Sequence, residues 1–274
     1  MDGNTAISKD VKTAQAFATS WNNLPEGSVY TFEQFEEWVA PLVKDDFKHK
    51  NIAELGCGNG SLLLHTTQWQ PSSVTGVDLG DSVQTAKTNL IATGFGAFKI
   101  EQADLTKYES EQGYDVVYCI GVIHHLKDPD AGFRALLKNT SSGGKFHGWV
   151  YAKEGNGIII ALVDPLRKIT SKLPWWFTKY CVATPLSAIF YLYAQVIART
   201  TLTSFPLYEY SCWIAKREFL FFRHVAFDQL VTPQTVYISR AMVESWLNDP
   251  SIVPDSTYII FRNGNSWKFG GIKK

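Results

Sequence analysis

What the sequence lacks narrows its function before any motif is read. The 274 residues hold four cysteines, Cys57, Cys119, Cys181 and Cys212, far apart and with no CxxC pair. That argues against a zinc site, which needs paired ligands at short spacing, and against a disulfide framework. Reduced thiols in a cytoplasmic protein are expected instead. Neither sign of charge is in excess, with 26 Lys and Arg against 26 Asp and Glu. A dedicated nucleic-acid binder carries a basic surplus to neutralise phosphates, so no nucleic-acid partner is expected. The start, Met1-Asp2-Gly3-Asn4-Thr5, shows no charged-then-apolar signal pattern, and no internal repeat is visible. Disorder is excluded by a 45% hydrophobic and 14% aromatic content, which can build a sizeable core.

The charge that is present is unevenly spread. Residues 1–151 carry 12 Lys and Arg against 18 Asp and Glu, residues 152–232 carry 9 against 5, and residues 233–274 carry 5 against 3. The pattern of apolar residues divides the chain at nearly the same places. Residues 1–30 read as a lead-in with a short helix around Val11–Ser20. Thr31 and Gln34 have capping-box spacing ahead of a helical run through Phe32, Phe35, Trp38, Val39 and Leu42.

From residue 51 strands and helices alternate. Strands are expected at Asn51–Leu55, Ser73–Val77, Ala97–Glu101, Asp115–Ile120 and Lys145–Tyr151, the last after a Gly143-Gly144 turn. Helices are expected at Ser61–Gln68, Asp81–Thr93 and Pro129–Asn139. Such alternation implies a parallel sheet covered on both faces. It breaks after Tyr151 and resumes at Ser239, an N-cap for a helix Arg240–Leu247. Runs at Thr257–Arg262 and Ser266–Ile272, joined at Asn263-Gly264-Asn265, read as an antiparallel hairpin. The expected organisation is one domain: a cap and core over 1–151, a helical insertion over 152–231, and completion of the core over 232–274.

The first strand ends in Glu54-Leu55-Gly56-Cys57-Gly58-Asn59-Gly60. Glycines there permit a tight turn and close approach of bare backbone to a ligand, and the following helix offers unpaired N–H groups. Asp78 ends the next strand, where its carboxylate can hold ribose hydroxyls. A nicotinamide dinucleotide would also fit such a turn, but its fingerprint is G-x-G-x-x-G/A. Here the third glycine comes one residue early, as GxGxG. Beside it Glu54 suits a cationic ligand with an amino-acid end better than a diphosphate. Both features favour S-adenosylmethionine.

At this point the chain resembles the class I S-adenosylmethionine-dependent methyltransferases of the small-molecule type. Glu54–Ser61 resembles their first motif, Val77-Asp78-Leu79 their second and Ala103-Asp104-Leu105 their third. Tyr114–Leu126 with Lys127-Asp128-Pro129 resembles the motif on their fourth strand. The resemblance covers roughly residues 30–151 well and 232–274 loosely. It implies a Rossmann-like, doubly wound α/β fold with seven strands, mostly parallel, closing in an antiparallel hairpin. It also implies S-adenosyl-L-methionine as cofactor, contacted by Glu54, Gly56, Cys57, Gly58, Gly60, Asp78, Leu79, Asp104, Leu105, Cys119 and Ile120. In this reading the glycines meet the amino-acid end, Asp78 the ribose and Asp104 with Leu105 the adenine. Cys119 and Ile120 lie under the methyl-donor end. No Asn-Pro-Pro-Tyr-like tetrapeptide of the nucleic-acid amino-methylating enzymes is present.

His124 and His125 follow the fourth strand, where an acceptor would meet the methyl group. Either could take a proton from the acceptor; the alternative is that both only pack locally. The segment 156–231 is rich in aromatic residues, and 180–198 carries no charge. That run nearly reaches membrane-spanning length, against which Pro185, Thr184, Ser187 and Gln195 count. Three readings stay open: a lid forming an apolar pocket, a membrane-surface contact within 160–222 through Arg167, Lys168, Lys172 and Lys179, and a homodimer interface. Tyr151, Tyr208, Tyr210, His224, Tyr237 and Arg240 are the expected polar contacts to the acceptor. The leading function is methyl transfer to an oxygen or nitrogen of a small, partly apolar metabolite. Another reaction on the same cofactor, a non-catalytic binding module and a nicotinamide oxidoreductase are the alternatives.

Overall fold

The computed structural model describes residues 9–21, 30–201 and 203–274. The polar stretch at the start of the sequence lies outside the described residues. The first helices are α1 (Lys9–Trp21), α2 (Phe32–Val39) and the single turn α3 (Lys44–Phe47). The capping box forms as expected, with Gln34 N–H donating to Thr31 Oγ1 and Thr31 N–H donating to Gln34 Oε1. Such a cap stabilises a helix by about 1 kcal/mol.

The alternating region follows as β1 (Asn51–Leu55), α4 (Ser61–Gln68), β2 (Ser73–Asp78), α5 (Val83–Ala92), β3 (Phe98–Gln102), β4 (Tyr114–Ile120), α6 (Pro129–Asn139) and β5 (Thr140–Tyr151). The insertion contributes α7 (Gly157–Thr170), α8 (Trp175–Phe177), a π-helical turn over Thr178–Ala183, α9 (Thr184–Ile197), α10 (Tyr208–Ala215) and α11 (Phe219–Val231). Then come α12 (Arg240–Leu247), β6 (Tyr258–Arg262) and β7 (Ser266–Ile272). The strands form one seven-stranded sheet in the order β3-β2-β1-β4-β5-β7-β6. Its first five strands are parallel, and β7 runs antiparallel to both β5 and β6.

Side-chain alternation along each strand feeds two cores. On β4, Val117 and Cys119 join α6 and α12 on one face, while Val116 and Tyr118 join α2, α4 and α5 on the other. The chain winds outward through β1, β2 and β3 and then returns to place β4 on the other side of β1. A crevice therefore opens at the carboxyl ends of β1 and β4, where ligands bind in open α/β sheets.

One local expectation fails. Gly143-Gly144 does not end a turn ahead of a strand; β5 starts earlier, at Thr140, and the glycines sit in an irregular stretch where its register with β4 shifts between Tyr114 and Val116. At the β6–β7 hairpin Asn263 and Gly264 both take positive φ, 51° and 64°. Asn-Gly is the pair that tolerates this in a tight hairpin turn.

Candidate functional site

The crevice is a single cavity with a glycine-loop end and an aromatic end. At the first, Gly56 has φ 82°, and a Cβ there would lie 2.4 Å from Val122 Cγ2. Gly58 has φ 51°, lines the cavity and has nothing within 4 Å of where its Cβ would be. Open space over bare backbone is a cradle that any side chain would fill. Gly60 departs from its expected role. It does not line the cavity; its φ of 78° turns the chain into α4, and a Cβ would press on Ala86 of α5 at 3.1 Å. Asn59 holds this turn, its Oδ1 accepting from Ser61 N–H at 3.2 Å and Ser61 Oγ at 2.7 Å.

Asp78 brackets the loop from the end of β2. Its Oδ2 accepts from Gly58 N–H at 2.9 Å and its Oδ1 from Gly80 N–H at 2.7 Å. Burial raises its pKa, and these two N–H groups oppose the rise. Glu54, 2% exposed, accepts a hydrogen bond from Tyr118 Oη at 3.2 Å. Burial pushes Glu54 up to about 8, partly offset by that hydroxyl. Asp104, Leu105, Leu79, Cys57 and Ile120 line the same end. Burial raises Asp104, but the Thr106 hydroxyl and N–H and the Lys107 ammonium outweigh it and leave the carboxyl below its usual range. Cys119 does not line the cavity: on β4 its side chain alternates with that of Ile120 and enters the opposite core. Burial raises both the Cys57 and Cys119 thiols, which leaves them unreactive packing groups.

The two histidines separate. Residues Ile123–His125 form a 3₁₀ turn, in which successive side chains point about 120° apart. His125 lines the cavity; His124 is fully buried behind it, its ring 4.2 Å from those of His125 and Tyr151, and it has no access to a ligand. His125 Nδ1 lies 3.0 Å from the Gln234 carbonyl oxygen and so carries the proton there, leaving Nε2 as the basic nitrogen. Burial lowers His125 to about 3, against the raising effect of that carbonyl.

Of the expected acceptor contacts, Tyr151, Tyr210 and Tyr237 line the cavity. The other three do not. Tyr208, at the start of α10, donates to the Thr200 carbonyl at 3.1 Å. His224 sits behind the wall, its Nε2 3.2 Å from Asp228 Oδ2. Arg240, with 61% of its side chain exposed, faces solvent from the start of α12 and pairs with Glu244.

Several lining residues were not anticipated. Asp10 and Thr13 of α1 reach the cavity, and Lys127 N–H donates to Asp10 Oδ1 at 2.8 Å. Trp38 of α2 and Trp149 of β5 line it, with their indole nitrogens buried and without a hydrogen-bond partner among the described residues. From the insertion come Trp213 and Phe221, together with Asp228, four residues after His224 on α11; that spacing was the one available signal. Arg262, 8% exposed, lines the far wall, bonds Glu37 at 2.6 Å and lies 5.1 Å over the Trp213 ring. Arg217 also pairs with the Glu37 carboxylate, Lys268 Nζ donates to the Glu37 main-chain carbonyl at 2.8 Å, and burial beside Arg262 lowers Lys268 to about 8.

The glycine-loop end thus holds Glu54, Asp78 and Asp104 with no Lys or Arg among its described lining residues. A diphosphate would be repelled there, whereas a ligand carrying a sulfonium and an ammonium group is attracted. Residues 29–180 match the family model described as a methyltransferase domain. The chain belongs to the class I S-adenosylmethionine-dependent methyltransferases. The family's cofactor is S-adenosyl-L-methionine, and the residues present fit it: the open cradle over Gly58, the Asp78 carboxylate lining the cavity at the end of β2 and the buried acid at Glu54. Its relatives include the ubiquinone biosynthesis O-methyltransferase of Nitrosospira multiformis, 31% identical over 104 residues that cover 37% of this chain and 41% of that one. That of Erwinia tasmaniensis is 25% identical over 150 residues, 53% and 60% of the two chains. The chain spans between 27% and 60% of the length of such curated relatives. The fold is shared with magnesium protoporphyrin IX methyltransferase from Synechocystis, at a TM-score of 0.55 and 14% identity over 99% of this chain and 100% of that one.

Proposed function

We propose that the protein transfers a methyl group from S-adenosylmethionine to an oxygen atom of a small, partly apolar, aromatic acceptor in the cytoplasm. One observation carries this reading: the glycine loop and the aromatic side chains of α10 and α11 line one cavity, in which donor and acceptor can meet. An oxygen acceptor is favoured by the buried indole N–H groups of Trp38 and Trp149 in the cavity wall, which suit a ligand oxygen. The names of the relatives, O-methyltransferases of ubiquinone biosynthesis, point the same way. Arg262 and its cationic neighbours suit an acceptor that is electron-rich or anionic.

When bound, the cofactor supplies an already activated methyl group. The chain's task is then mainly to bind, align and exclude water. Tyr151, Phe221 and Trp213 hold the acceptor ring, and α1 with α11 covers it. His125 keeps its Nδ1 proton on the Gln234 carbonyl and lines the cavity where the acceptor hydroxyl would lie. With a pKa near 3 it stays neutral throughout the physiological range.

A direct test is transfer of labelled methyl from S-adenosylmethionine to a panel of phenols, aromatic carboxylic acids and anilines. Oxygen-bearing acceptors should turn over and anilines should not. Replacing His125 with Gln should lower kcat about a hundredfold, without a histidine-like limb in the wild-type pH profile between pH 5 and 8. Turnover of anilines alone would refute the oxygen assignment, and a wild-type rate for His125→Gln would remove the base.

A further inference from the structure

We propose that the outward face of α7, α8 and α9 docks the protein onto an anionic lipid surface, lying along it without crossing. Most large apolar side chains that the protein leaves exposed sit on this insertion. On α9 they form a stripe, Leu186, Ile189, Leu192 and Val196, 45%, 71%, 67% and 53% exposed. The spacing of three and four residues keeps all four on one side of the helix. Ile158, Leu162 and Ile169 are exposed on α7, and Trp175, Trp176 and Phe177 on α8, which leads through the π-helical turn into α9. None of these residues lines the cavity, so ligand binding does not account for them. An apolar surface of this extent on a water-soluble domain marks an association site.

Charge decides the occupant. From Pro165 to Tyr208 there is no Asp or Glu, while Lys168, Lys172, Lys179 and Arg199 interrupt the apolar run. Lys168, Lys172 and Arg199 are exposed, and Lys179 lies over the rings of Trp175, Tyr180 and Phe227 at 5.7–5.9 Å. A second copy related by a two-fold axis would bring like charges together across this face. An anionic headgroup layer complements them, and the paired tryptophans suit its interface. Arg167 takes no part: it is 4% exposed and tied to Asp164 and the Gln229 carbonyl.

Packing fixes the orientation. Trp175–Ile197 is a 23-residue stretch long and apolar enough to cross a membrane. Yet Ala194 packs with Ile214 and Phe222, and Ala183 with Phe227 and Leu230. Insertion across a bilayer would tear this face from α10 and α11; lying flat leaves it in place and buries only the stripe.

The surface stands independently of the methyl-transfer reading, and its test uses no acceptor. The full chain is floated with phosphatidylcholine vesicles and with mixed phosphatidylcholine–phosphatidylglycerol vesicles. Partition should favour the mixed vesicles and weaken as salt is added. The double variant Ile189→Glu, Leu192→Glu should lose partition about a hundredfold while its affinity for S-adenosylmethionine stays unchanged. Partition onto neither vesicle, equal partition onto both, or a dimer in sedimentation that the double variant splits would overturn the proposal.

Discussion

The two ends of the cavity are held by different kinds of atom. The donor end is mostly backbone: glycines with positive φ, N–H groups that grip Asp78, and a strand-to-helix turn kept by Asn59. The acceptor end is mostly side chain: Trp38, Trp149, Trp213, Phe221 and Tyr237, drawn from α2, β5, α10, α11 and the loop before α12. The first end is acidic, and the second has Arg262 in its wall. Backbone recognition ties a ligand to a local run of residues with fixed spacing. Side-chain recognition ties it to whatever helices the insertion happens to bring together. That is why a shared cofactor can be met by a short motif, while acceptors diverge across a family.

The sharpest way to break this contrast is at Gly58. Gly58→Val forces a β-branched residue to φ 51° and fills the cradle. Cofactor affinity should fall at least about a hundredfold, with a fold cost of about 1–3 kcal/mol from the backbone strain. Calorimetric titration with S-adenosylmethionine measures the first effect and thermal unfolding the second. Gly60→Ala, behind the wall, should show the fold cost with little loss of affinity.

A side-chain change at the other end should act in the opposite way. Phe221 lines the cavity beside Tyr30 and Trp213. Phe221→Ala should raise the acceptor KM about tenfold and leave the cofactor Kd within error. Equal losses for both ligands would mean that the two ends are not separate.

A test on stability, and not on ligand binding, concerns Glu54. Its folded pKa is raised from 4.5 to about 8, so the folded state holds a proton that the unfolded chain has released. The stability tied to that proton is fully present below about 4.5 and is lost as pH rises through about 8. In the cofactor-free protein unfolding free energy should therefore decline over this window, by up to about 1.4 kcal/mol per pH unit from this group. Glu54→Gln should flatten the decline, as read by denaturant titration at several pH values.

The same contrast governs what the sequence could reveal. β1, α4, α6, α12 and β7 fall on the residues that periodicity and capping signals predict, because each carries its own local code. Asp78, Asp104, Gly56 and Gly58, which line the cavity, are legible for the same reason. Gly60 and Cys119 do not line the cavity, because lining depends on which way one residue faces, and neighbours on a turn or strand face apart. The histidine pair shows this again, with one at the cavity and one behind it. Tyr208, His224 and Arg240 are polar residues of a plausible segment, but Tyr208 donates to the Thr200 carbonyl, His224 lies beside Asp228 behind the wall and Arg240 pairs with Glu244. Arg262 and Trp38 could not be found from spacing, since the sheet brings them together across more than two hundred residues.

A structure with S-adenosylhomocysteine bound would show most directly whether one cavity receives donor and acceptor at distinct ends. The amino-acid end should lie over Gly56 and Gly58 beside Glu54, the ribose on Asp78 and the sulfur facing His125 and Tyr151, with the space toward Trp213 and Arg262 left open. A product molecule that fills the aromatic end, or one that leaves Asp78 untouched, would contradict it.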